Sequence, residues 1–102
     1  MPLKGASARG RDQSRPIADE TLAVTDAAAG LASIPGTFTY AFIEVQDQPL
    51  RVRFLGDPTS AVGHFYAPGQ TDVWNPVEVR AARMIRTTGT NAAVFVTYYV
   101  DG

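Results

Sequence analysis

The stretch Thr37-Phe-Thr-Tyr-Ala-Phe-Ile-Glu-Val-Gln46 decides the fold. Phe38, Tyr40, Phe42, Glu44 and Gln46 fall on one side of an extended chain. Thr37, Thr39, Ala41, Ile43 and Val45 fall on the other. Aromatic and β-branched residues suit a pleated, half-buried surface, so this is a strand. Asp47-Gln48-Pro49 then turns the chain, and Leu50–Leu55 alternates again, with Leu50, Val52 and Phe54 opposite Arg51, Arg53 and Leu55. Two alternating runs across a short turn read as an antiparallel hairpin.

The same pattern recurs near the C-terminus. Arg83–Thr88 and Ala92–Val100 bracket Thr88-Gly89-Thr90-Asn91, a second hairpin by the same criterion. Val94, Val96, Tyr98 and Val100 share one face there, and Ala93, Phe95, Thr97 and Tyr99 the other. Bulk on both faces makes this strand central, or sets its second face against another subunit. Leu22 and Val24 mark a short strand before an Ala/Gly-rich loop at 26–32. His64–Tyr66 and Asp72–Trp74 mark two more, while Pro76–Ala82 reads as a helical turn or a bent strand. Short strands with turns about every ten residues give an all-β fold: a small sandwich or jelly-roll-like barrel.

The 102 residues suffice for one domain. Its boundary is expected at 19/20, with a loose arm over 1–19 and the sandwich over 20–102. The arm has no apolar period, and Lys4, Arg9, Arg11 and Arg15 against Asp12 give residues 1–16 a charge of +3. A whole-chain charge of −1 then leaves −4 on the body. Such an arm could touch nucleic acid by charge alone or order on an acidic protein surface. Its small charge favours the protein surface, so no nucleic-acid partner is expected. Met1–Pro16 lacks the apolar stretch of a signal peptide, and the longest apolar runs are too short to span a bilayer. A soluble protein made in the cytoplasm, without a membrane partner, is the expectation.

Catalytic chemistry finds little footing. There is no cysteine and one histidine, His64. Neither zinc spacing nor a calcium loop appears, so no metal or other cofactor is expected. Asp57, Ser60 and His64 are close in sequence, but one short loop rarely builds base, nucleophile and oxyanion hole together. Asp57 and Asp72 read as solvated turn residues. Arg80, Arg83 and Arg86 recur at helical spacing, which would align them in a helix and scatter them in a strand; scattered surface residues are the preferred reading. No enzymatic activity is expected.

Two stretches carry a family likeness: PLRVRFLGDPTSAVGH at 49–64 with Ala67-Pro68-Gly69, and ARMIRTTGTNAAVFVTYY at 82–99. Gly56, Pro58, Thr59, Gly63, Ile85, Arg86, Thr87, Gly89, Val96, Thr97, Tyr98 and Tyr99 fit the pattern. It resembles that of small virion structural proteins of tailed bacteriophages, over residues 37–100. The resemblance implies a head decoration or cement subunit on the capsid surface, with the major capsid protein and further copies of itself, as trimer or dimer, for partners. A neck, tail or fibre component is the nearest alternative. A carbohydrate-binding adhesin module is the other, in which Trp74 and Tyr66 would stack on a sugar. For the structural role, Tyr40 is a candidate, and Trp74, Tyr98 and Tyr99, with the basic arm residues Lys4, Arg9, Arg11 and Arg15, are the expected partner contacts. Phe38, Phe42, Phe54 and Phe95 are expected in the core.

Overall fold

The computed structural model describes residues 14–101. Its organising strand is β7 (Ala92–Asp101), which lies between β1 (Ser14–Val24) and β2 (Tyr40–Val45). With β5 (Thr71–Trp74) beyond β2, they form a four-stranded antiparallel sheet in the order β1-β7-β2-β5. β4 (His64–Tyr66), β3 (Leu50–Arg53) and β6 (Arg83–Arg86) form a three-stranded antiparallel sheet across from it. The chain is an all-β sandwich, as the alternation requires.

Alternation also fixes the core. Val94, Val96 and Tyr98 of β7 turn inward beside Ala41, Ile43 and Val45 of β2. They meet Leu50 and Val52 of β3 and Met84 of β6. Of the four phenylalanines expected inside, Phe38 is buried and Phe54 packs partly against the cluster. Phe42 and Phe95 are exposed, because their positions alternate with the buried ones.

Neither expected hairpin forms. β2 pairs with β5 and β7, and β3 with β4 and β6. The turn at 46–49 carries the chain from one sheet to the other, as does the turn at 87–91. Turn residues dictate that the chain reverses; they leave open whether the flanking strands lie side by side or face to face. Here the apolar sides face each other across the core, and each backbone finds its ladder elsewhere.

The boundary expected at 19/20 also moves. Ser14–Asp19 belong to β1 and pair with Asp101–Thr97. The backbone ladder supplied by the long strand β7 needs no apolar period in its partner. A register shift at Pro16/Ala18 leaves Ile17 as an extra residue, and Pro16 is tolerated because β1 is an edge strand.

The segment Pro76–Ala82 resolves into helix α1 (Pro76–Ala81). Asn75 Oδ1 accepts from the Glu78 N–H, and the Asn75 N–H donates to Glu78 Oε1, both at 2.8 Å. Pro76 opens the helix, where its missing N–H costs nothing. The loop at 25–39 seals the β6 edge. Ala29 and Met84 exchange backbone hydrogen bonds of 3.1 and 2.8 Å, and Arg86 N donates to Thr25 O. In the loop before β4, Gly63 sits at φ +128°, and a Cβ there would lie 3.0 Å from Val52 O. Backbone conformation and space both require glycine.

Candidate functional site

Trp74 and Tyr98, expected as partner contacts, are core residues at 1% and 0% exposure. Trp74 lies opposite Ala41 on the inward side of β5. Its Nε1–H donates to Asp72 Oδ2 at 2.9 Å, and the Tyr66 hydroxyl donates to the same oxygen at 2.5 Å. The Val73 N–H donates to Asp72 Oδ1 at 2.8 Å. Burial alone would raise the Asp72 carboxyl, but the hydrogen bonds from Tyr66, Trp74 and Val73 outweigh it and hold the group below its ordinary value. Burial first, and the bond to Asp72 second, push the Tyr66 hydroxyl up to about 12. Asp72 is thus a clasp, not a solvated turn residue. The Tyr66 and Trp74 rings meet edge-on at 82° inside the protein, which removes them as a sugar-stacking shelf.

Tyr98 closes the other end of the core. Its hydroxyl donates to Glu20 Oε1 at 2.8 Å, and Phe38 packs edge-on against its ring at 5.2 Å. Burial, then Glu20, raises the Tyr98 hydroxyl far above its ordinary range. Glu20 also accepts from the Ala32 and Ser33 N–H groups at 3.1 and 3.0 Å. One carboxylate therefore ties β1, β7 and the 25–39 loop together. Nothing in the sequence around Glu20 advertises this, because its partners lie 12, 13 and 78 positions away.

Asp57, Ser60 and His64 do not assemble. Asp57 Oδ1 accepts from Arg83 Nε at 2.9 Å, the Ser60 carbonyl accepts from Arg51 Nε, and the His64 ring lies near Phe54. Among the described residues, no three His, Asp or Glu side chains gather as a metal-ligand group. The three arginines at helical spacing are dispersed. Arg80 on α1 lies over the Phe38 ring, Arg83 reaches Asp57 and the Ala28 carbonyl, and Arg86 reaches Asn91. An open groove of about 460 Å³ runs between Pro58–Ser60 and Ile85–Thr88, with Asp26 and Arg86 as its charged members. Its Thr59 and Thr88 hydroxyls already serve local turns.

What remains available is the outside of the sandwich. On the four-stranded sheet, the register places Tyr99 beside Tyr40, Thr97 beside Phe42, and Phe42 beside Val73. Phe95 lies in the next row, between Thr21 and Glu44. Tyr40 and Tyr99 stack at 4.9 Å and 8°. The result is a continuous aromatic and aliphatic strip across three strands, with Val73 55% exposed. Tyr99, with Tyr40 beside it, is thus the expected aromatic contact that does lie on the outer face, unlike Trp74 and Tyr98. Arg15, paired with Val100 at the same end of the sheet, is exposed but on the other side; Lys4, Arg9 and Arg11 lie outside the described residues. On the three-stranded sheet, Phe65, Arg51 and Ile85 form one outward row and Arg53 and Arg83 the next. The Arg51 guanidinium covers the Phe65 ring at 5.4 Å. Comparison with family models, curated protein sequences and solved structures finds no match to this chain.

Proposed function

We propose that this chain is a non-enzymatic virion structural protein: a decoration or cement subunit that binds across joints between major capsid proteins of a tailed phage. The observation that carries the reading is the outward strip of Tyr99, Tyr40, Phe42, Val73 and Phe95, a contiguous apolar surface that the fold itself leaves uncovered. Contiguous exposed apolar area marks an interaction surface, and aromatic side chains at the centre of an interface carry most of its energy. The resemblance over residues 37–100 supplies the virion context.

The mechanism is buried area on a rigid support. Each strip residue stands on a strand whose opposite side is locked in the core, so little conformational freedom is lost on docking. Tyr99 marks the end of this surface on the β1–β7 ladder, while Arg15, paired with Val100, falls on the other side of the sheet. Trp74 and Tyr98 act only indirectly, by holding the sandwich rigid.

Quantitative mass spectrometry of purified particles tests the reading. Copies comparable in number to the major shell protein are expected for decoration or cement. A handful per particle would move the protein to the neck, tail or fibres. Finding none would overturn the virion assignment.

A further inference from the structure

The two outer faces of the sandwich differ in charge in a way the fold does not require. Outward positions of the four-stranded sheet include Asp19, Glu44 and Asp101, and no lysine or arginine among the described residues. These acids rim the strip of Tyr40, Tyr99, Phe42, Val73 and Phe95. The three-stranded sheet presents Arg51 and Arg53 on its central strand β3 and Arg83 on β6 instead, with Phe65 and Ile85 on either side of Arg51. Asp57 offsets only Arg83. Arg51 and Arg53 donate to the carbonyls of Ser60, Gly63 and Asp57, and neither forms an ion pair among the described residues. Apolar groups flank this basic face: Phe65 on the edge strand β4 is 51% exposed, and Val62 and Leu55 of the adjoining loop are exposed as well.

We propose that the acidic, aromatic face of one copy docks on the basic face of a second copy of this chain. The inference rests on the structural-subunit reading and names one partner for it. Both faces carry exposed apolar groups, and their charges are of opposite sign: acids rim the strip on one, while arginines stand on the central strand of the other. Such an arrangement fixes orientation and disfavours pairing of like faces. Because the faces lie on opposite sheets, the contact is heterologous. Every junction uses one face of each kind, and the assembly closes as a ring or propagates. A two-fold dimer through either face alone would oppose like charges.

Two single-face variants of the full chain, V73K and F65E, test it by sedimentation velocity. Both positions are exposed, and circular dichroism checks that each variant retains the native fold. Wild type should self-associate, and the oligomer should weaken as salt rises from about 0.05 to about 0.5 M, as screening of exposed charges demands. V73K alone and F65E alone should each be monomeric. Mixing them should restore association, because F65E brings an intact acidic face and V73K an intact basic one. If either variant assembles alone as wild type does, the contact is not between unlike faces and the proposal fails. A wild-type monomer at every salt concentration overturns it as well. Neither failure touches the virion reading: a monomer abundant in purified particles would remain a decoration protein, bound only to the shell.

Discussion

Tyr98 and Tyr99 are adjacent in the chain and belong to different worlds. Tyr98 is fully buried, edge-on to Phe38, with its hydroxyl on Glu20. Tyr99 lies on the outer face, stacked on Tyr40. The difference is the two-residue period of β7 and nothing else in the residues themselves. The outer side of the four-stranded sheet carries Tyr40, Phe42, Phe95 and Tyr99 and the inner side Trp74 and Tyr98, yet the inner side is core and the outer is free for partners. Composition therefore says little about role here; position in the alternation says nearly all.

Truncating the two tyrosines should expose the contrast most strongly. Tyr98→Ala removes a buried ring and leaves a cavity, at a cost of about 3–5 kcal/mol. Tyr99→Ala forfeits one exposed ring stack, about 1 kcal/mol. Urea denaturation of the two variants reads the difference directly. Comparable losses would mean that the outer face is part of the core of the isolated chain.

The inner side also holds polar clasps that the outer side lacks. Asp72→Ala leaves the Tyr66 hydroxyl and Trp74 Nε1–H without their acceptor, at about 1–3 kcal/mol for each. The clasp has a pH signature at both ends. The folded carboxyl of Asp72 lies below its ordinary 3.8, so the native state binds fewer protons than the unfolded one. That stabilisation is present above pH 3.8 and fades as pH falls through the folded value. Tyr66 shifts the other way, from 10.0 to about 12. Its contribution is complete below pH 10 and is lost as pH rises toward 12. Denaturation at pH 8 and pH 11 should show a marked loss at the higher pH. The Y66F/Y98F double variant, without either ionisable hydroxyl, should lose less over the same interval.

These clasps mark the boundary of what the sequence makes legible. The positions of β2 to β7, the sandwich class and the central place of β7 follow from alternation and turn residues, which are local; residues 14–19 of β1 pair without an apolar period and do not. Pairing is not local: the Asp47–Pro49 turn looks the same whether it joins neighbours in a ladder or facing sheets. The error at Trp74 has the same root. Beside the Asn75–Pro76 turn it looked available, but Asp72 two positions earlier and Tyr66 on another strand enclose it. Phe42 and Phe95 mislead for the opposite reason. Large apolar side chains suggest burial, whereas the smaller Ala41 and Ile43 mark the true inward side of β2. The outer strip could have been read from the excess of bulk on both sides of β2 and β7.

Glu20 anchors the 25–39 loop to the sheet beneath it. Glu20→Ala should cost about 1–3 kcal/mol, since the Tyr98 hydroxyl and the Ala32 and Ser33 N–H groups lose an acceptor. Hydrogen exchange should quicken at Ala32 and Ser33 while the amides of β7 change far less. Uniform acceleration would show that the loop opens only with the whole sandwich.

The smallest effect on stability is the most informative about function. Phe42 stands in the outer strip, between Thr97 and Val73; Val77, on α1, is more exposed at 75% and lies outside the registered strip. Serine at either position should change unfolding free energy by about 0.5 kcal/mol or less, as for most surface substitutions. Association should respond only to Phe42→Ser. Isolated exposed apolar residues are ordinary on protein surfaces, whereas adjoining ones create an area that a partner can dry. Sedimentation of the two variants beside wild type separates these cases. If Val77→Ser weakened association as much as Phe42→Ser, exposure alone would be the determinant, and the contiguity of the strip across β7, β2 and β5 would carry no functional meaning.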